Sequence, residues 1–264
     1  MSDPRRWLLV LGASSGIGAG CARAFAEAGY GILGVHLDRR NTRPAVEALE
    51  SDLRKAGAEV CFFNGNAADD AWRSATVEAI RTHLRATGGR VDVLVHSLAF
   101  GSLGPLVGAD AARAVRRSQW EMTLDVMASS LAFWTRDLVH AGLLGLGGRV
   151  FALTSQGTDH AWPSYGPVSA AKAVLDALVR QLALELAPLG ITVNAVQPGV
   201  TDTPALRRIP GWEMLVEQAL RRNPHGRLTT PEDVGRCLVD LSRPGTSWMT
   251  GNRIRVDGGE DVCG

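Results

Sequence analysis

Short apolar segments alternate along the chain with longer segments in which apolar residues recur every three to four positions. The short segments are rich in leucine and β-branched residues, and they cover residues 7–11, 31–36, 60–64, 91–96, 149–154, 191–197 and 253–256. This alternation is typical of βαβ units, in which helices connect parallel strands. The sequence therefore predicts an α/β fold with a doubly wound parallel sheet of seven strands.

The composition agrees with this predicted fold and reduces the number of plausible ligand classes. The chain has 264 residues, a formal net charge of +1 and 45% hydrophobic residues. That is enough for one large core, and no repeat or long linker divides it, so we expect a single domain over residues 1–264. A near-neutral charge without a basic run argues against nucleic acid and membrane as partners. Four scattered cysteines and no leader-like segment predict a cytoplasmic protein without a metal site.

A glycine-rich turn follows the first predicted strand and precedes a helical pattern. In this context the glycines allow a tight turn, a close approach of the backbone to a pyrophosphate, and contact between helix and strand. The phosphates then lie at the helix amino terminus. The alternative is a tight turn without a ligand. We predict a Rossmann-type dinucleotide site whose residues here are Gly12, Ser14, Ser15, Gly16, Ile17 and Gly18.

The end of the second strand bears on the choice between NADH and NADPH. An NAD site usually has an acidic residue there for the adenosine ribose, whereas the 2′-phosphate of NADP favours arginine. Counted from Gly12, that position is His36, and Arg39 and Arg40 follow it closely. The arginines predict NADPH, with NADH as the less favoured alternative because of Asp38. The other interpretation of the arginines is a solvated face.

Tyr165 and Lys172, with six residues between them, are the candidate catalytic pair. Pro167 predicts a helix that begins next to Tyr165, because proline is favoured in the first turn, and Lys172 then lies about a turn and a half inside it. A phenol with a pKa of about 10 is a poor acid at neutral pH unless a cation lies near it. An ammonium supplies that field and also donates to the nicotinamide ribose. The alternative for Tyr165 is a packing residue.

Two further polar residues end predicted strands near this pair. Ser155 follows the fifth strand and can donate a second hydrogen bond to a substrate oxygen, or it can simply close a turn. His96 ends the fourth strand, where we expect a packed residue rather than a catalytic base. Tyrosine, lysine and serine together suit a hydride transfer in which negative charge develops on a substrate oxygen. Both a ketone and an enoyl thioester meet that description.

These features resemble the short-chain dehydrogenase/reductase superfamily over almost the whole chain. The matching parts are the glycine loop, Asn66, the tyrosine and lysine, and residues 194–199 and 256–259. Three departures from the usual members resemble the divergent enoyl-acyl-carrier-protein reductases: the sequence His-Ser-Leu-Ala-Phe at 96–100, the longer tyrosine–lysine spacing, and Asp125 at an asparagine position in a helix expected beneath the site. The common type of glycine loop resembles the NADPH-dependent subfamily.

The resemblance implies NADPH-dependent reduction of the C=C bond of a trans-2-enoyl thioester, carried by acyl carrier protein or coenzyme A. Tyr165, Lys172 and Ser155 are the implied catalytic residues. The alternatives are a ketoreductase for a ketoacyl or polyketide carbonyl and a non-catalytic NADP-sensing module. A homotetramer is implied, with helices at 118–140 and 168–186 pairing across subunits.

The resemblance also places residues around the cofactor and the substrate. The further cofactor-binding residues are Asn66, Ala67, Ser97, Leu98, Ala99, Pro198, Gly199, Thr201 and Thr203. On the substrate side we expect Phe100, Trp162 and Trp212. A lid is expected over about residues 200–222, because residues 209–212 interrupt the helical pattern there.

Overall fold

A computed structural model describes residues 5–108 and 110–263. These residues form one parallel sheet in the order β3-β2-β1-β4-β5-β6-β7. The strands are β1 Arg6–Leu11, β2 Gly31–His36, β3 Val60–Asn64, β4 Arg90–His96, β5 Arg149–Leu153, β6 Thr192–Pro198 and β7 Arg253–Val256. The predicted doubly wound sheet is confirmed, and each strand begins and ends within one residue of its predicted position.

Helices cover both faces of the sheet. They are α1 Gly16–Glu27, α2 Arg43–Lys55, α3 Asp70–Thr87, α4 Arg117–Leu124, α5 Ser130–His140, α6 Gly166–Leu186, α7 Trp212–Arg222 and α8 Pro231–Leu241. One large apolar cluster joins α1, α2 and α8 to the sheet, and a second joins α3, α5 and α6 to its other face. Over the described ranges, none of these helices combines the length and apolar character that a membrane span requires.

The chain order of the strands reverses between β1 and β4, which are neighbours in the sheet. Loops that leave the carboxyl ends of these two strands run in opposite directions and open a crevice between them. Both strands are almost entirely buried, as expected for central strands with helices on both sides. The glycine loop and the segment after residue 96 therefore meet at this crevice.

The helix predicted over 118–140 is divided by a π-turn at Asp125–Ser129. The N–H of Ser130 reaches back five residues to Asp125 O. The Ser130 hydroxyl donates to Val126 O at 2.8 Å and satisfies the carbonyl that the shifted backbone leaves free. The pattern of apolar residues did not predict this break, because a single wide turn preserves the burial of the helix on either side.

Asp125 is the first residue of this turn. Its side chain is exposed, and the charged groups around it are Asp70 and Arg73 of α3. The buried residue two positions on, Met127, packs in the same cluster as Tyr165. The helix therefore presents a thioether to the site, not a carboxylate.

Candidate active site

The loop after β1 and the first turn of α1 have no space for side chains at Gly12 and Gly18. The N–H groups of Gly12 and Ala13 both donate to Val35 O, at 2.8 and 3.0 Å. Gly12 has φ +91°, and a Cβ there would lie 2.6 Å from Ser97 O. A Cβ at Gly18 would overlap Gly12 O. The backbone that leads into the amino terminus of α1 is therefore not covered by side chains. Residues 12–18 form a cradle that fits the pyrophosphate of a dinucleotide.

A Gly18→Ala substitution is expected to lower the free energy of unfolding by about 2 kcal/mol, because the added methyl group must displace backbone. Nicotinamide dinucleotide binding should weaken with it. Urea denaturation and a fluorescence titration with the cofactor measure the two effects. Gly245→Ala is the control, since a Cβ there meets nothing within 4 Å. Equal stability of the two variants would contradict the assignment of the cradle.

Asp38, not His36, faces the glycine loop at the end of β2. The His36 imidazole is buried, and its Nδ1 lies 3.0 Å from Asp38 Oδ2. Partial burial raises the pKa of Asp38, but hydrogen bonds from Ser14, Thr42 and His36 outweigh it and hold that pKa below its ordinary value. His36 thus contacts the Asp38 carboxylate from within the sheet, and its predicted contact with the adenosine ribose stays a prediction.

The other residues predicted at the adenosine end differ in exposure. Arg39 and Arg40 are exposed and follow Asp38 directly. Asn66 is exposed after β3, and its Oδ1 accepts the Ala68 N–H at 3.1 Å. Ala67 is buried. Asn66 and the arginines can therefore meet a ligand through their side chains, and Ala67 only through its backbone.

The segment after β4 crosses the crevice beside the glycine loop. The Ser97 N–H donates to Leu11 O at 2.8 Å, and Ala99 is exposed. His96 is fully buried, with its Nε2 2.8 Å from Ser130 Oγ. Burial, reinforced by the charge of Lys172, lowers the pKa of His96 to about 3. His96 is thus a neutral, packed residue, in agreement with the sequence analysis.

Lys172 points into the crevice from the second turn of α6. Tyr165 is the residue before this helix, as Pro167 predicts. The Lys172 side chain is 5% exposed, and its Nζ donates to Leu153 O at 2.6 Å and to Leu98 O at 3.4 Å. Burial lowers the pKa of Lys172 to about 8. The ammonium therefore lies between the ends of β4 and β5.

The Ser155 hydroxyl lies near the Tyr165 phenol. The phenol ring packs on Gly157, where a Cβ would lie 2.6 Å from Cε1. Burial raises the pKa of Tyr165, and the Ser155 hydroxyl opposes that rise. Ser155 also accepts the Gly157 N–H at 3.0 Å, so it closes a turn and contacts the phenol at once.

The loop after β6 brings one of its two predicted threonines to the cofactor cradle. The Thr203 methyl group lies against the glycine loop, 3.1 Å from where a Cβ of Gly16 would be. Thr201 is buried, and its hydroxyl donates to Gly199 O at 2.9 Å. Thr203 therefore borders the cradle, whereas Thr201 stabilises the turn that follows Pro198.

The predicted lid contains α7 and is attached to the loop after β5. Trp162 Nε1 donates to Pro210 O at 3.1 Å. The Arg207 guanidinium lies 5.6 Å from the centre of the Trp212 ring, and Phe100 is exposed. A cavity of about 290 Å³ beside Tyr165 is lined by residues 157–162, Gly166 and Ser169. Trp162 thus both lines this cavity and holds the lid.

Glu260 connects three parts of the site and was not identified from the sequence. It is fully buried, and its Oε2 accepts the Val200 N–H at 3.1 Å. Its Oε1 accepts from Gln156 Nε2 at 3.3 Å and lies 3.7 Å from the Arg222 guanidinium at the end of the lid helix. Nothing in its local sequence shows that this carboxylate is buried, because its partners come from distant segments.

Known proteins place this arrangement in context. Residues 12–260 match the family described as enoyl-(acyl carrier protein) reductase. The chain is 30% identical to an enoyl-[acyl-carrier-protein] reductase [NADH] of Rhizobium meliloti, over 100% of this chain and 92% of the relative. It is 29% identical to a subunit of (2S)-[(R)-hydroxy(phenyl)methyl]succinyl-CoA dehydrogenase of Thauera aromatica, over 99% of both. The structure of actinorhodin polyketide ketoreductase with NADPH superposes with a TM-score of 0.83, at 26% identity and 97% coverage of both chains.

Proposed function

The chain belongs to the short-chain dehydrogenase/reductase superfamily as a member similar to the enoyl-acyl-carrier-protein reductases, and it is an NAD(P)H-dependent oxidoreductase; from this premise we propose that it reduces the C=C bond of a trans-2-enoyl thioester. The observation that carries the proposal is the placement of Tyr165, Ser155 and Lys172 at the carboxyl edge of the sheet. Six residues separate the tyrosine from the lysine, as in the enoyl reductases that the sequence resembles. All three residues act at one point of the crevice.

The residues of the chain have distinct parts in this reaction. The nicotinamide, when bound, supplies the hydride that goes to the β-carbon of the substrate. The Tyr165 phenol donates a hydrogen bond to the thioester oxygen, where negative charge collects, and so stabilises the enolate. Ser155, next to the phenol, orients it and favours its ionised form. Lys172 holds a positive charge beside them, and the glycine loop with Thr203 holds the dinucleotide.

Reduction of a ketoacyl or polyketide carbonyl is the second candidate, and the contact between Ser155 and Tyr165 supports it. In such a reaction both hydroxyls can meet the carbonyl oxygen directly. A cofactor-sensing module without catalysis has less support, because it would not need a tyrosine, a lysine and a serine together at this edge of the sheet. The acyl group is proposed to be carried on acyl carrier protein or coenzyme A, in a cytoplasmic pathway of fatty-acid or polyketide metabolism.

Two parallel assays test the proposal. The oxidation of reduced nicotinamide is followed with a short trans-2-enoyl thioester and with the matching 3-ketoacyl thioester, and products are identified by mass. We expect saturated thioester from the first substrate. Hydroxyacyl product from the second substrate alone would make the protein a ketoreductase, and tight cofactor binding without turnover of either would favour the sensing module.

For the cofactor we propose NADPH, on the exposed Arg39 and Arg40 beside the adenosine end of the cradle. Guanidinium groups bind a 2′-phosphate through charge-assisted hydrogen bonds. One observation favours NADH: the Asp38 carboxylate near Ser14 has the acceptors that a ribose hydroxyl requires and repels a phosphate.

We further propose that the chain is a single domain and assembles as a homotetramer. Its seven strands form one continuous sheet. On α6, Val174 and Leu184 are exposed, and before β7 the Trp248 side chain is 97% exposed. Large apolar side chains on a helix and beside an edge strand are typical of buried subunit contacts. Light scattering coupled to gel filtration measures the assembly.

A further inference from the structure

Lys172 is a buried cation whose direct contacts are uncharged. Its Nζ donates to the carbonyl oxygens of Leu153 and Leu98. Carbonyl dipoles hold an ammonium in place but do not neutralise it, and a buried charge without a counter-charge costs free energy. Binding of a dinucleotide and a thioester would exclude more water from this position. A carboxylate close enough to act on the ammonium would offset that cost.

Asp176 lies one turn further along α6, on the same side of the helix as Lys172. Its side chain is 13% exposed, and its Oδ2 lies 3.6 Å from the Arg253 guanidinium of β7. Its Oδ1 is buried and has no hydrogen-bond partner among the described residues. A buried carboxylate oxygen without a donor is costly, and the Thr154 hydroxyl after β5 is the uncharged group near this carboxylate that favours its ionised form.

We propose that Asp176 is the counter-charge of Lys172: from the next turn of α6, its carboxylate keeps the ammonium charged within the site and acts on the reaction only through that lysine. Asp176 is thus a positioning residue. The same carboxylate contacts Arg253, whose guanidinium donates to Thr158 Oγ1 at 2.6 Å in the turn after Ser155. Asp176 is therefore also linked, through Arg253, to the loop that carries Ser155.

The charged groups around Asp176 lie on three parts of the chain, and they shift its pKa in opposite directions. Burial raises the pKa of Asp176, and the nearby carboxylate of Asp159, in the loop after β5, acts in the same direction. The Thr154 hydroxyl, Arg253 of β7 and Arg180 of α6 lower that pKa. The two guanidinium groups thus favour the ionised carboxylate that the proposal requires.

Among the titratable groups described around Lys172, Asp176 carries the negative charge. Burial lowers the pKa of Lys172, and the charge of Asp176 raises it. His96 faces the ammonium from β4 and is held neutral by its own burial. The Tyr165 phenol is protonated at neutral pH because burial raises its pKa. Removing the charge at 176 must therefore lower the pKa of Lys172.

The composition of the chain allows a direct test. It contains two lysines, Lys55 and Lys172. Full-length protein labelled with 13C at the ε-carbon of lysine gives two signals, whose shifts report each ammonium as pH is varied. Lys55 is 75% exposed on α2, across the sheet from Asp176, and serves as the internal reference. We expect Asp176→Asn to move the titration of Lys172 down by about half a pH unit or more and to leave the Lys55 signal in place.

Matched variants separate this effect from a general change in the site. Asp176→Glu retains the charge and should restore the titration of the natural protein. Asp159→Asn removes another carboxylate that binds Arg253, at 2.6 Å, and should leave the Lys172 signal in place. If Asp176→Asn does not fold, Asp176→Ala replaces it. An unmoved Lys172 signal, or an equal shift in Asp159→Asn, would overturn the proposal.

Enzymatic activity provides the second measurement. The alkaline limb of the kcat profile should move to lower pH in Asp176→Asn by the same amount as the lysine signal. A purely structural role would lower kcat or the melting temperature without moving that limb. The lysine titration needs no substrate, so it can fail while the proposed reduction holds, and it can succeed when the substrate assignment is wrong.

Discussion

Replacing Tyr165 by phenylalanine is expected to lower kcat for the enoyl thioester by about 100-fold or more, with a much smaller change in KM. The substitution removes one hydroxyl and retains the ring that packs on Gly157. Loss of a donor aimed at a developing oxyanion has an effect of this size in other enzymes. Because the donor acts on charge that is absent from the bound substrate, the loss should appear in kcat. Steady-state kinetics with a short trans-2-enoyl thioester measures it.

The chain provides a matched control for this experiment. Tyr30 is its one other tyrosine, and it is buried against Phe25 on the far side of the sheet from Lys172. Tyr30→Phe removes the same hydroxyl at a position remote from the crevice and should retain the activity. If Tyr165→Phe retained more than half of kcat, the phenol would not stabilise the enolate and the mechanism would need another donor.

The pH dependence of the reaction is expected to follow the cation more than the phenol. The pKa of Lys172 is lowered to about 8 by burial, so its positive charge is complete below that pH and is lost as pH rises through it. The pKa of Tyr165 is raised, so the phenol remains a proton donor over the same range. Activity should therefore fall on the alkaline side near the titration of Lys172. A profile that is flat through this range would contradict the role of the lysine.

Local sequence was sufficient for the sheet and for the tyrosine–lysine pair. Strands such as Gly31–His36 are buried along their whole length, and near-continuous apolar runs of this kind are what a parallel sheet requires. The glycine loop was predictable because overlap of a Cβ at Gly18 with backbone leaves glycine as the fitting residue. Pro167 placed Tyr165 just outside α6, since the proline is accommodated in the first turn.

The failures arose where distant segments decide the orientation of a side chain. Counting positions from the glycine loop selected His36, but the ring is buried and Asp38 turns towards Ser14 instead. The π-turn at Asp125–Ser129 is accompanied by hydrogen bonds of the Ser130 hydroxyl with Val126 O and with His96 of the distant strand β4. Such contacts leave no periodic pattern, so they could be found only with the chain folded.

The preference between NADPH and NADH should depend on Asp38, Arg39 and Arg40. The double variant Arg39→Ala/Arg40→Ala is expected to lower kcat/KM for NADPH by about 100-fold, because each guanidinium contributes a charge-assisted hydrogen bond to the 2′-phosphate. The value for NADH, which has no phosphate there, should change by a few-fold at most. Competition kinetics with both cofactors measures the ratio. Arg54→Ala, at the opposite end of α2 and paired with Glu50, is the control for loss of a surface charge.

Asp38→Asn tests the residue that favours NADH over NADPH. The substitution removes the charge that repels a phosphate and retains an oxygen that can accept the Ser14 hydroxyl, so kcat/KM for NADPH should rise about tenfold and that for NADH should fall. If the protein prefers NADH, and if the arginine double variant changes kcat/KM equally for both cofactors, then the proposal of NADPH is wrong. The Asp38 carboxylate then binds the ribose hydroxyls. The geometry at Asp38 thus makes the ratio of the two cofactors, not the affinity for either alone, the informative quantity.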